Sequence, residues 1–229
     1  YLISVIYFCL ENPILIIMAK WPAYGRCKTR LSKDIGKKSA LNIQNHILNH
    51  TISVSKFLEK KGYLDITLAT NGIGFKTSER WSKQLGISKF SMQGGGTLGE
   101  KMRRQILINS RLLLNGKKRD YLIIGTDLPD LSHLDLLEAI SKVRKNDIIF
   151  GPSEDGGYWL IGLSKEIVSR NIISPFINLK WSRRDVLQKT LDNLSTQNLK
   201  IDFLSCKVDI DTIEDLEKRT KSFYNYSYS

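Results

Sequence analysis

At 229 residues, 41% hydrophobic and 25% charged, the chain has the composition of an ordinary soluble globular protein and ample length for a buried core. Its three cysteines (Cys9, Cys27 and Cys206) are far apart and odd in number. That pattern argues against a disulfide framework and for a reducing compartment. The net charge of +12 raises nucleic acid as a partner, but the lysines are spread along the chain and no tract interleaves aromatic with basic residues. No recognition-helix or RNA-binding signature occurs either, so no nucleic-acid partner is expected.

The first ten residues, YLISVIYFCL, are apolar but too short to span a bilayer, and lack the basic segment and cleavage site of a secretory signal. Residues 1–12 therefore read as an N-terminal extension, with no membrane partner and a cytoplasmic location expected. Strands are expected at Ile14–Ala19, Asp65–Thr70, Tyr121–Gly125, Asp147–Phe150, Tyr158–Gly162 and Asp202–Cys206. Helices are expected near Ser39–Lys60, Thr77–Leu85, Leu98–Leu114, Ser132–Val143, Arg183–Leu194 and Ile213–Ser222. Runs such as ILIIMA and YLIIG are apolar throughout, which marks strands buried on both faces. Strands separated by helices imply crossover units and a mostly parallel sheet. The segment DIIFGPSEDGGYWLIGL differs, with two strands close around a Gly-rich turn, and predicts a local antiparallel pair. No linker or repeat divides residues 13–222, which read as one α/β domain, and 223–229 read as a frayed tail.

Ligands of open α/β sheets bind beyond the carboxyl ends of strands, and the informative residues follow strands directly. After Ala19 come Lys20, a turn through Pro22–Gly25, and then Arg26, Lys28 and Arg30 ahead of a helix. Gly25 permits a positive φ or a close approach. The three cations share one side if the segment is extended, and the helix adds its positive end. This suits an anion of several charges, a di- or triphosphate. The spacing is not that of a Walker A loop. Residues 93–102, QGGGTLGEKM, contain G-x-G-x-x-G, but the preceding run is a weak strand and Asp120, the acidic residue about twenty positions on, begins a strand instead of ending one as a dinucleotide fingerprint requires. A loop contacting a base, ribose or substrate through Gly95 and Gly96 is one reading; a plain helix-entry loop is the other.

Asp127 follows the buried YLIIG run and can hold a divalent cation against phosphate oxygens, since Mg²⁺ takes one or two carboxylates plus substrate phosphates. Alternatively Asp127 or Ser132 caps the next helix. In GPSEDGGYW, Asp155, Gly156, Gly157 and Tyr158 are candidate acceptor-binding residues, with Asp155 as hydrogen-bond acceptor or base; the same residues also read as a hairpin turn. Asp209 and Asp211 end the last strand, where Asp211 reads as a second metal ligand or as a cap with first-turn acids. His46 and His50 stand at i, i+4 without a third ligand nearby and read as a solvated helix face. Cys27 lies beside Arg26 and Lys28, a setting that lowers a thiol pKa.

The succession K-x-P-x-x-G-R-x-K-T-R-L, G-T-D-L-P-D, G-P-x-x-D-G-G-Y-W-L-I-G-L, W-S and D-I-D-T-x-E-D-L, from about Pro13 to Arg219, resembles the bacterial DUF2064 family. That family is described as glycosyltransferase-A-like, within the nucleotide-diphospho-sugar transferase superfamily. The resemblance implies a three-layer α/β/α sandwich with a mostly parallel, mixed central sheet. It matches Asp127 and Asp211 to metal-binding acids, and Gly25, Arg26, Lys28 and Arg30 to a basic phosphate loop. Tyr24, Thr97, Arg183 and Ile213 depart from the family pattern.

The expectation is a transferase in which Asp127 and Asp211 hold Mg²⁺ or Mn²⁺, while Lys20, Gly25, Arg26, Lys28, Arg30, Gly95 and Gly96 bind a nucleotide or sugar nucleotide. Lys28, Asp127 and Asp155 form the expected catalytic set. A small-molecule acceptor receives a glycosyl or a nucleotidyl group; a non-catalytic nucleotide-binding protein is the alternative.

Overall fold

The computed structural model describes residues 11–111, 118–170, 174–181 and 183–217. The expected extension therefore lies outside them as far as residue 10, and the expected tail lies outside them entirely. The elements in chain order are β1 (Ile14–Lys20), α1 (Leu31–Lys60), β2 (Asp65–Asn71), α2 (Phe75–Gln84), β3 (Phe90–Met92), α3 (Leu98–Arg111) and β4 (Tyr121–Ile124). They continue with α4 (His133–Val143), β5 (Ile148–Pro152), β6 (Tyr158–Leu163), α5 (Lys165–Ser169), α6 (Val186–Leu194) and β7 (Ile201–Phe203).

One seven-stranded sheet runs β3-β2-β1-β4-β6-β5-β7. Strand β6 pairs antiparallel with both β4 and β5, while the other pairs are parallel. The expected hairpin thus forms, and its second strand inserts between β4 and β5. Side chains alternate across each strand, so Leu15, Ile17 and Ala19 of β1 face α1, α2 and α4. Ile14 and Ile16 face α3, α5 and α6 on the other side. Strand β1 is buried from Ile14 to Ile17 and β4 at every position, which explains their unbroken apolar runs. Each such side chain contributes about 1.5–3 kcal/mol on burial. The sandwich has the expected three layers.

Local boundaries differ for identifiable reasons. Helix α1 starts at Leu31, eight residues before Ser39, and is interrupted at Gly36, whose φ of +81° is not helical. Strand β3 was not expected: it is a three-residue edge strand with no fully buried side chain, so it carries no apolar run. Helix α5 is a single short turn capped by Ser164, whose hydroxyl accepts from the Ile167 amide. The last strand is Ile201–Phe203, with residues 204–206 outside regular structure. Among the described residues no helix is long and apolar enough to cross a membrane.

The chain order places β1 between β2 and β4, so the connections after β1 and β4 leave the sheet at the point where its strand order reverses.

Candidate active site

The loop after β1 is turned instead of extended. The Trp21 amide donates to the Asn71 carbonyl at 2.9 Å and the Arg26 amide closes on Ala23 at 3.0 Å. Gly25 has φ +69°, and Lys20 Nζ donates to the Arg26 carbonyl at 2.8 Å. The three cations consequently do not share one side: Arg26 and Arg30 are exposed, whereas Lys28 is 8% exposed with a φ of +45°. That backbone conformation is costly for a residue with a side chain. It turns Lys28 into the protein.

There its ammonium donates to Asp127 Oδ1 and, at 3.2 Å, to Asp211 Oδ1. Asp127 sits just past β4 and Asp211 just past the segment that follows β7. Two contacts fix this convergence. The Ile210 amide donates to the Asp127 carbonyl at 3.3 Å, and Ile210 packs with Leu31 and Ile47 of α1 in a small separate core. Neither aspartate serves as a cap. Ser132 and Asp135 form the capping box of α4, and Thr212 and Asp215 exchange the equivalent bonds at the start of the helical turn over 213–217. Both carboxylates are left for Lys28 and for whatever approaches from outside, their side chains being 48% exposed.

Burial works against the charge on Lys28, but Asp127 and then Asp211 outweigh it and raise its pKa above the ordinary value. Asp209 is pushed up to about 6, chiefly by burial and then by the carboxylates of Asp155, Asp211 and Asp127. One ammonium does not neutralise this corner. Among the described residues no group of three or more His, Cys, Asp or Glu side chains could hold a metal ion. What the chain offers is a pair of carboxylates already sharing one cation.

Asp155 stands on the exposed turn between β5 and β6, with Oδ1 accepting from the Gly157 amide at 2.9 Å. Gly156 has φ +85°, and a Cβ there would come within 1.9 Å of the Arg184 carbonyl oxygen. Its own carbonyl accepts from the Leu187 amide at 3.0 Å, so this glycine seats the start of α6 against the turn. Tyr158 packs on Phe150 and Trp181, and burial pushes its phenol strongly upward, against the Thr190 hydroxyl beside it. Asp155, Gly157 and Tyr158 line a cavity of about 310 Å³ that reaches Asp127 and Asp209. Met18, Leu98 and Met102 give it an apolar wall, and Trp181 and Arg183 stand at its α6 side.

The glycine-rich segment leads into that wall. Thr97 and Glu100 cap α3 reciprocally, and Arg104 braces the loop through the carbonyls of Gln93 and, at 2.9 Å, Gly95. Gly96 has φ +103°, whereas a Cβ on Gly95 would meet nothing within 4 Å. Gly99 is buried where a side chain would strike the Phe176 carbonyl and Trp181. His46 is exposed, and His50 contacts the Leu131 carbonyl at 2.7 Å. Cys27 reverses its expectation: burial raises its thiol pKa despite Lys20 and Lys28.

Several residues at or near the site carry little or no signal in the sequence. For Asp209 the signal is the D-x-D spacing, which puts it at one loop with Asp211. Trp181 was visible in the W-S pair without a role. Gln44, buried on α1 with its amide toward Thr126, carried no local signal.

A family model described as an uncharacterized protein conserved in bacteria, DUF2064, matches residues 56–183, more than half of the chain. That span contains Asp127, Asp155 and the glycine-rich loop; Lys28 and Asp211 lie outside it. No curated protein matches. A solved structure from Desulfovibrio desulfuricans G20, assigned as a nucleotide-diphospho-sugar transferase, is 26% identical with a TM-score of 0.79, covering 90% of this chain and 85% of that one. The 4-diphosphocytidyl-2C-methyl-D-erythritol synthase of Anaerococcus prevotii DSM 20548 is 13% identical with a TM-score of 0.56, over 93% of this chain and 99% of that one. A CMP:2-keto-3-deoxy-manno-octonic acid synthetase complexed with CTP is 11% identical with a TM-score of 0.52, over 94% and 99%. These last two likenesses are of fold alone. By its sequence match the chain belongs to the DUF2064 family, and it carries the fold of the nucleotide-diphospho-sugar transferases.

Proposed function

We propose that the protein is a metal-dependent transferase that binds a nucleotide or sugar nucleotide and passes a glycosyl or nucleotidyl group to a small acceptor. The observation that carries this reading is the convergence of Lys28, Asp127 and Asp211 where the strand order reverses. The 26% identity to the Desulfovibrio structure supports it.

Asp127 and Asp211 fit a divalent cation because their carboxylates already share one cation, the Lys28 ammonium. Asp127 and Asp211 would hold Mg²⁺ or Mn²⁺ there, next to the phosphates of a bound nucleotide. Bound there, the metal supplies charge neutralisation at the phosphates. The chain's own residues do the rest. Lys28, released from the carboxylates, moves to the phosphates together with the exposed Arg26 and Arg30, and offsets the charge that builds on the leaving group. Gly95 and Gly96, at the adjoining strand end, contact the nucleotide. Asp155, at the cavity, accepts the proton of an acceptor hydroxyl.

The test is a thermal-shift panel of nucleoside triphosphates, nucleoside diphosphates and sugar nucleotides, each with and without Mg²⁺ or Mn²⁺. A ligand at a hundred times its Kd stabilises by about 2.7 kcal/mol, roughly 5–10 °C for a chain of this size. Metal-dependent stabilisation by sugar nucleotides favours glycosyl transfer, and by triphosphates alone nucleotidyl transfer. Stabilisation by none of them overturns the reading.

A further inference from the structure

We infer that the cavity beside Asp127 is an acceptor pocket for an uncharged, hydroxyl-bearing ring compound and is built against a phosphorylated one; this rests on the transferase reading above. Three facts converge on it. The first is size. At about 310 Å³ the cavity is at the small end of the range usual for ligand sites, room enough for one small ring.

The second is charge. The chain carries a net +12, yet the charged groups lining this cavity are Asp127, Asp155 and Asp209 against Arg183. Arg183 is itself engaged, its Nε donating to Asp185 at 3.2 Å. Lys28 answers Asp127 and Asp211. A phosphate brought in here meets the carboxylates of Asp155 and Asp209, which Lys28 does not reach, and like charges at short range repel. Hydroxyl groups meet the same carboxylates as charge-assisted hydrogen-bond acceptors.

The third is the walls. Trp181 and Tyr158 meet edge to face, with centroids 6.2 Å apart and planes at 77°, on one side. Met18, Leu98 and Met102 form another. Apolar walls with a few placed polar groups suit a ring with C–H faces and hydroxyl edges. The basic loop and the acidic cavity thus divide the labour: phosphates on the Lys28 side of Asp127, a neutral ring on the Asp155 side.

The experiment is saturation-transfer NMR on the full chain, with methyl glycosides of glucose, galactose and mannose set against the 1- and 6-phosphates of the same sugars. It is run with and without a nucleoside diphosphate and Mg²⁺. The expected result is binding of at least one neutral glycoside, with its phosphates at least tenfold weaker. Trp181→Ala should weaken the glycoside about fivefold or more. Asp155→Asn, which keeps an acceptor for the Gly157 amide, should narrow the gap between glycoside and phosphate.

Phosphates binding as tightly as glycosides, glycoside binding indifferent to Trp181→Ala, or no glycoside binding at all would each overturn the inference. If Trp181→Ala weakens sugar nucleotides but no free glycoside binds, the cavity holds the donor's sugar and the acceptor assignment falls. Thermal shifts with nucleotide and metal on the same samples separate the two levels. Nucleotide binding without glycoside binding defeats this inference alone, and the reverse defeats the transferase reading.

Discussion

Lys28 holds its ammonium against the carboxylate of Asp127, ninety-nine residues further along the chain, from a backbone conformation that few side chains adopt. The pair closes through Asp211, so a single buried cation stands between two half-exposed carboxylates. On the proposed reading, a metal ion and Lys28 compete for one position. Lys28→Met, which keeps length and apolar volume, should raise Mg²⁺ affinity in the absence of nucleotide and lower triphosphate affinity about tenfold, equivalent to about 1.4 kcal/mol. Nucleoside affinity should stay within about twofold. Isothermal titration checks all three; weaker Mg²⁺ binding by the variant would remove the metal from these carboxylates.

The same substitution should cost stability in the unliganded protein, because Asp127, Asp211 and Asp209 are left facing one another without a cation. With the carboxylates half in solvent, the loss should be about 1–2 kcal/mol. That is a fall of roughly 2–8 °C in Tm, and added Mg²⁺ should restore part of it.

Asp127→Asn should abolish the metal-dependent part of nucleotide stabilisation while leaving α4 intact, since Ser132 and Asp135 cap that helix and Asp127 does not. Asp211→Asn should behave alike, with Thr212 and Asp215 keeping their own bonds. A metal-dependent thermal shift that survives both substitutions is incompatible with either residue as a ligand.

Two glycines separate packing from ligand contact. Gly156→Ala combines a φ of +85° with a Cβ placed 1.9 Å from the Arg184 carbonyl oxygen. It should cost about 2–3 kcal/mol or more and loosen the start of α6. Gly95→Ala meets nothing within 4 Å and should leave Tm unchanged to within about 1 °C. Reduced nucleotide affinity in Gly95→Ala, measured on that intact fold, identifies a ligand contact; unchanged affinity means the loop only enters α3.

Asp120 offers a pH test remote from the site. Its carboxylate accepts from the Lys165 amide at 2.9 Å, but burial outweighs that bond and raises its pKa above 3.8. Its ionisation therefore opposes folding: the penalty is absent below pH 3.8 and grows as pH rises through the raised value. Asp120→Asn retains an acceptor and loses the charge. The variant should melt higher than wild type at pH 7.5, with the gap closing as pH falls toward 4; a gap independent of pH would contradict the sign.

Strand β1 and strand β4 were legible because a strand buried on both faces leaves an unbroken apolar run. Strand β3 was not, because a half-exposed three-residue edge strand leaves none. The Pro-Ala-Tyr-Gly turn was legible through Gly25, yet the inward turn of Lys28 was not, since nothing local marks a lysine for φ +45°. For Gly156 the turn was readable and its reason was not: the atom that forbids a side chain belongs to Arg184.

Hydrophobic period and turn chemistry are local properties, and from them follow an α/β chain, its longer elements in order, and the acids and cations that stand after strand ends. That Lys28, Asp127 and Asp211 meet at one point while Asp155, Asp209 and Trp181 line the cavity beside it follows from the assembled sheet alone. Strand order sets which loops are neighbours, and strand order is a balance of contacts between distant segments that no single stretch of the chain records.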